Sequence, residues 1–221
     1  MDHSHFDFAE LTERERYKLL IGTVIPRPIA LVTTKSRSGQ ANAGPFSFFN
    51  VLTHDPALVA IGVENYADMR FKDTARNIRE TGDFTVHIVD TALVEQMEIC
   101  AIKFGPEVDE LGEAGLATEP GRMVKSPRIL AAPAALECRR HTTLQVGPAR
   151  EIIIGEVLGV FIRTDAVDAE NLHVDQTLMD AVGRLGGSLY TRTQEQFERR
   201  TPTVEEFRLR RSSSSASLCK E

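Results

Sequence analysis

Cysteine is scarce and unpaired: Cys100, Cys138 and Cys219 stand far apart and form no CxxC motif. That spacing offers neither a zinc site nor a disulfide framework, and it suits a reducing cytoplasm. No apolar run approaches the ~18 residues a membrane-crossing helix needs. The opening MDHSHFDFAELTERERYKLL puts acids where an export signal needs a basic start and an apolar stretch. A soluble, cytoplasmic protein with no membrane partner is the expectation. Cationic excess is also missing, since 26 Lys and Arg face 32 Asp and Glu for a formal net charge of −6. That balance argues against a nucleic-acid footprint and requires any anionic ligand to be met by local cations. No GxGxxG follows a strand and no GxxxxGK[ST] occurs, so neither a Rossmann fingerprint nor a P-loop is available. Metal is not expected: His3 and His5 read as a polar terminus, and His54, His141 and His173 lack companion ligands at metal spacing.

What is present is a chain of 221 residues, 42% hydrophobic, long enough for one well-buried domain. That domain is expected to span residues 1–211, followed by a serine-rich tail, 212–221, too polar to pack. Thr12 and Glu15 have capping-box spacing and open a helix to about Leu20, with Leu19 and Leu20 on its apolar side. Residues 28–34 read as a strand, Ser36-Arg37-Ser38-Gly39 as a turn, and a second strand follows, a β-hairpin. Pro45 lacks an amide proton and places that second strand at an edge or a break in the ladder. ALVAIGV (57–63) is apolar enough for a strand in a small barrel. A helix capped by Asp73 or Thr74 runs to Thr81 and Gly82, and residues 84–89 return as a strand. Residues 92–104 read as an amphipathic helix, 104–128 as a long excursion with a helical turn, and 135–147 with 150–164 as two long strands. The strands are not regularly separated by helices, so the fold class is mainly β with peripheral helices, an antiparallel barrel.

Two stretches carry chemistry. Asn42-Ala43-Gly44-Pro45-Phe46-Ser47-Phe48-Phe49-Asn50 offers backbone amides, hydroxyls and small residues against which a planar ring could lie; by spacing alone it is equally an ordinary edge strand. Lys72-Asp73-Thr74, followed by Arg76 and Asn77, sets a cation and a hydroxyl at a helix N-terminus, where free amides and the helix dipole favour phosphate. Asp73 is the awkward member, because its carboxylate would repel a phosphate; capping the helix or orienting Lys72 suits it better. A capped surface helix with solvated charges explains the same tripeptide. His87, inside an alternating strand, reads as an outward or satisfied histidine rather than a catalytic one, and Cys138 as a buried, inert thiol.

Taken in order, the strand RPIALVTT, the G-x-x-N-A-x-P-F-S segment, the apolar strand and KDT-x-x-N-I resemble the flavin reductase-like family with its FMN-binding split-barrel fold, flavoredoxins in particular. Glu137-Cys138-Arg139, Ile154-Gly155-Glu156-Val157 and the group RLGGSLY (184–190) extend the resemblance over roughly residues 15–195. The resemblance implies an antiparallel split β-barrel and a homodimer holding one FMN per subunit. By position it implies that Asn42, Ala43, Gly44, Pro45, Phe46, Ser47 and Phe48 line the flavin ring and ribityl chain. Thr33 and Thr34 would add polar contacts, Lys72, Asp73 and Thr74 would surround the phosphate, and Arg184 and Tyr190 would approach the open face. NADH or NADPH would deliver hydride to the flavin, which passes electrons to free flavin, a monooxygenase or another acceptor; no catalytic side chain is required. A flavin-binding electron carrier without NAD(P)H activity is the alternative, and a third is a non-flavin binder on the same barrel. Two departures from the family pattern are Gly44, where Ala is usual, and His87, where Asn is frequent.

Overall fold

A computed structural model describes residues 1–66, 68–105 and 107–217, without the side chains of residue 210 and of residues 212–217. The chain enters through the capping box: the Glu15 amide donates to Thr12 Oγ1 (3.3 Å) and the Thr12 amide to Glu15 Oε2 (2.9 Å), opening helix α1 (Glu13–Thr23). Strands β1 (Arg27–Pro28), β2 (Ala30–Lys35), β3 (Ala41–Phe46), β4 (Phe49–His54) and β5 (Ala57–Glu64) follow. Next come α2 (Asp73–Thr81), β6 (Asp83–Ile88), α3 (Val94–Ile99), α4 (Glu110–Glu113), β7 (Thr118–Glu119) and β8 (Arg128–Ile129). The long pair β9 (Ala134–Gly147) and β10 (Arg150–Ile162) precedes β11 (Val167–Asp168), β12 (His173–Val174), α5 (Gln176–Met179), β13 (Val182–Arg184), β14 (Tyr190–Arg192) and α6 (Val204–Ser217).

Seven strands form one antiparallel sheet in the order β3-β2-β6-β9-β10-β5-β4. Its two edge strands, β3 and β4, are consecutive in the chain and joined through Ser47 and Phe48 alone, so the sheet must roll up. Pro45, with no amide proton, therefore sits on an edge strand as its chemistry requires. A Cβ on Gly62 would lie 3.0 Å from Phe48 Cβ; without one, the Gly62 amide reaches the Phe48 carbonyl at 2.7 Å and ties the corner to β5. Inside the roll lie Val32, Val59, Ile61, Phe84, Val86 and Ile153, with Ala75 and Ile78 of α2 packed among them. The outer face of β2 carries Leu31, which with Val89, just past β6, is covered by Leu93, Met97, Leu111 and Ile129. β2 is thus buried on both faces, as its unbroken apolar and threonine sequence requires. At Gly155, where β10 slips register against β9, a Cβ would stand 2.3 Å from Phe84 Cζ; glycine admits the aromatic ring there.

Some expectations shift. In α1 it is Ile21 that is buried, while Leu20 is 46% exposed. The helix expected over 92–104 shortens to a 3-10 turn at Thr91–Leu93 and α3, capped at Cys100, whose Sγ faces the Glu110 carbonyl. Helix α6, its start capped reciprocally by Thr203 and Glu206, is described to Ser217. Residues 218–221, Cys219 among them, lie outside the described residues.

Candidate functional site

The N-terminus of α2 is set by residues on β2, β3 and β10 together with Asn65. Lys72, not Asp73 or Thr74, occupies the N-cap position, with extended backbone and no side-chain cap. Asp73 is the first helical residue and its carboxylate pairs with Arg76 one turn on, which offsets part of its charge at this helix end. Lys72 is half-buried and forms no ion pair among the described residues. Burial lowers its pKa, Glu64 pulls the other way, and the cations Lys103 and Arg150 add to the lowering. The result is a desolvated cation at the positive end of a helix dipole.

Beside it runs a buried polar network. Asn42 Nδ2 donates to Thr74 Oγ1 at 3.0 Å and faces Thr34 Oγ1 at 3.4 Å; Asn77 Nδ2 donates to the same Thr34 hydroxyl at 3.0 Å. These bonds clamp β2, β3 and α2 together, and Asn77 Oδ1 is left buried without a donor. Gly44 brings β3 close enough that a Cβ there would sit 3.5 Å from Thr74 Oγ1. The Ala43 amide donates to Glu110 Oε2 at 3.3 Å, whose carboxyl burial pushes up in pKa, with Asp73 adding to the effect. A small cleft lined by Asn42, Asp73, Arg76, Asn77 and Glu110 opens between these groups.

Thr33 is not part of this assembly. Successive strand residues face opposite ways, and the Thr33 hydroxyl is committed on the outer face to the Pro127 carbonyl at 2.5 Å. Pro45, Phe46 and Ser47 complete the corner and are half-buried; Phe48 is 49% exposed, its ring 6.5 Å from that of Tyr17 on α1. Val51 and Leu52 on the β4 edge are exposed beside it.

Arg184 and Tyr190 lie apart, on the β13–β14 hairpin. The Arg184 guanidinium stands 4.4 Å from the Tyr190 ring centroid and donates to the Gly187 carbonyl at 2.7 Å; the Tyr190 hydroxyl donates to Glu98 Oε1 at 3.2 Å. No hydrogen bond or ring contact among the described residues joins this pair to the β3 corner or to α2. The hairpin is anchored by Arg27, a buried residue that the sequence does not single out, which donates to the Ile21 and Val24 carbonyls at 2.6 and 2.9 Å and to the Leu185 carbonyl at 2.9 Å.

His87 is satisfied rather than outward: fully buried, it bonds the Leu31 carbonyl through Nδ1 at 2.9 Å and accepts the Ile129 amide on Nε2 at 3.0 Å. Burial pushes its pKa down to about 4, so it is neutral. Cys138 is likewise inert, burial pushing its thiol up to about 12. Residues missed in the sequence include Asn65, Arg79 and Glu151, which meet behind Lys72; the signal was a glutamate opening the apolar run EIII, where a buried strand wants no charge. No helix among the described residues is long and apolar enough to cross a membrane.

Comparison with known proteins agrees with this geometry. The family described as flavin reductase like domain matches residues 21–185. A protein of Deinococcus radiodurans is 46% identical over 205 residues, covering 90% of this chain and 89% of its own. Among solved structures, 2-nitrobenzoate 2-nitroreductase of Pseudomonas fluorescens superposes with a TM-score of 0.84 at 35% identity, covering 91% of this chain and 98% of that one. Component B of nitrilotriacetate monooxygenase from Bacillus cereus does so with 0.85 at 30% identity, covering 90% and 99%. The rolled antiparallel sheet is a split barrel, the fold of a Shewanella frigidimarina structure described as having a split barrel domain, which superposes with a TM-score of 0.77 at 21% identity, covering 91% of this chain and 100% of that one. The chain belongs to the flavin reductase-like family and is a flavin-binding protein of oxidoreductase type.

Proposed function

We propose that this member of the flavin reductase-like family holds FMN non-covalently and acts as an NAD(P)H-dependent flavin reductase. The observation that carries this reading is Lys72: a desolvated cation with no ion pair among the described residues, at the open N-terminus of α2, beside the Thr34–Asn42–Thr74 network. A phosphate supplies the anion that this arrangement lacks, and the buried, donorless Asn77 Oδ1 next to it leaves room for a further hydrogen bond from ligand or water. These residues fit a phosphorylated flavin. Bound FMN would supply the ring that accepts hydride at N5 and passes electrons on.

In this reading Lys72 and the first-turn amides of α2 hold the phosphate, with Thr74 beside them, while Asp73 serves by engaging Arg76. Asn42, Ala43 and Gly44 present backbone to the ribityl chain and ring, and Pro45, Phe46, Ser47 and Phe48 wall the ring. Thr34 acts through Asn42 and Asn77; Thr33 serves the barrel wall. Arg184 and Tyr190 border the face left open for a nicotinamide. The acceptor is free flavin, a monooxygenase or a small molecule, a range supported by the monooxygenase component and the nitroreductase among its structural relatives. Exposed Tyr17, Phe48, Val51 and Leu52 form an apolar surface at the β4 edge that a homodimer would cover. The domain spans residues 1–211 and works in the cytoplasm.

An electron carrier without its own NAD(P)H activity is the second reading, favoured by the engagement of Arg184 with its own hairpin. Mixing FMN-loaded protein anaerobically with NADH or NADPH separates the two: loss of the flavin absorbance near ~450 nm with either donor is expected. Bleaching by neither removes the reductase reading, and failure to take up FMN removes both.

A further inference from the structure

Glu151 is a carboxylate 2% exposed at the start of β10, opening its apolar run. It accepts from Asn65 Nδ2 at 3.1 Å and from Arg79, through Nε at 3.1 Å and through a second guanidinium nitrogen. A buried ion pair is a poor way to gain stability, since apolar residues of equal volume commonly do as well or better. The reason for a carboxylate here therefore lies in what its partners do next.

Both partners reach the segment before α2. Because Glu151 offers only acceptors, it holds the Asn65 amide with Nδ2 inward, and the Asn65 Oδ1 is thereby turned to accept the Lys72 backbone amide at 3.1 Å. Asn65 itself is pinned by its own amide to the Ala149 carbonyl at 2.9 Å. The other partner, Arg79, lies on α2 and stands 4.4 Å from the centroid of the Phe71 ring, one residue before Lys72. One buried carboxylate thus governs the residues on both sides of the Lys72 N–H.

We infer that Glu151, acting through Asn65 and Arg79, is a positioning residue that sets the Lys72 N-cap and so aims the anion-binding end of the site. It touches no ligand itself. The inference rests on the proposed phosphate role of Lys72, and its test separates the two.

The probes are FMN and riboflavin, which share the ring and ribityl chain and differ in the phosphate. Each is titrated by flavin fluorescence against the full chain as wild type, Glu151→Gln and Asn65→Ser, with melting temperature followed in parallel. In Glu151→Gln the one remaining carbonyl oxygen is held by the cationic Arg79 guanidinium, so the new amide nitrogen confronts Asn65 Nδ2, two donors face to face, and the Asn65 amide must turn over and present a donor to the Lys72 N–H. Positioning therefore predicts a loss of about tenfold in the preference for FMN over riboflavin, the scale of one charge-assisted hydrogen bond, with riboflavin affinity unchanged. Simple charge removal predicts the reverse, because deleting an anion near a phosphate strengthens phosphate binding. An unchanged or increased preference overturns the inference, as does a parallel fall for both ligands, which marks a structural role alone. Asn65→Ser leaves the Glu151–Arg79 pair intact and carries the same expectation should Glu151→Gln not fold. A wild type that binds riboflavin as tightly as FMN overturns the phosphate reading, and this inference with it.

Discussion

The α2 end of the molecule and the β13–β14 hairpin hold their polar residues in opposite ways. At α2 the bonds are buried and join distant parts of the chain: Asn77 to Thr34 across 43 residues and Arg79 to Glu151 across 72. In the hairpin Arg184 bonds Gly187 three residues away, and the one distant bond from its aromatic member, Tyr190 to Glu98, is exposed. Buried, cross-linked polar groups make a preorganised surface that rearranges little when a ligand arrives. Local, solvated ones leave side chains free to adjust. A protein that keeps a tightly held cofactor while exchanging substrates needs one surface of each kind, and under the proposed function the two regions would divide in that way.

The largest expected effect tests how deeply the barrel behind the site depends on neutral, satisfied polar groups. His87 bridges β2 and the start of the cover through Leu31 and Ile129. Its folded pKa of about 4 lies below the ordinary 6.5, so the unfolded chain binds the proton first as pH falls. Its contribution is complete above about pH 6.5, declines as pH drops, and is lost by about pH 4, a total of about 3 kcal/mol at 1.36 kcal/mol per unit. Denaturant midpoints measured between pH 7.5 and 4.5 should therefore fall less steeply in His87→Gln than in wild type, and the His87 ring should remain neutral by NMR at pH 5.5. A ring titrating near 6.5 would contradict the buried assignment.

Next in size is Lys72→Ala. It removes a charge-assisted contact to the proposed phosphate and should weaken FMN binding by about 1.5–3 kcal/mol, with riboflavin binding unchanged. Because Lys72 has no carboxylate partner among the described residues, its loss strands no anion in the fold, and melting temperature should not drop. Unchanged FMN affinity would remove the anion site from the α2 end and with it the contrast between the two regions.

How much of this was legible in the sequence follows from the range of the signals. Local signals held: the capping box of Thr12 and Glu15, the turn at Gly39 with its positive φ, the helix stop at Gly82, and Pro45 on an edge strand. The run 42–48 and the tripeptide at 72–74 were found as separate pieces, and the network linking Asn42 to Thr74 makes them neighbours. What could not be read was long-range. Neither the choice of Thr34 over Thr33 nor the assembly of Asn65, Arg79 and Glu151 has a local motif, because each depends on which strand lies alongside. An aspartate near a helix start usually caps, so the sequence points to a cap or an orienter of Lys72 at Asp73; its ion pair with Arg76 and the Lys72 N-cap become visible only once α2 is in place.

The smallest expected effect is the sharpest for the hairpin. Tyr190→Phe deletes a hydroxyl whose bond to Glu98 is 3.2 Å long and solvent-exposed, while the ring remains for the Arg184 guanidinium to stack on. Stability should change by no more than about 0.5 kcal/mol, and FMN and riboflavin affinities should stay at their wild-type values. If Tyr190 borders the donor face, the change should appear only as a shift of a few-fold in KM for the nicotinamide, with kcat retained, since the lost group would affect how the donor is seated rather than how hydride moves. A tenfold loss of FMN affinity in this variant would show that the hairpin reaches the cofactor after all. The two regions would then be one surface, and the division between a fixed cofactor end and an adjustable substrate face would not hold.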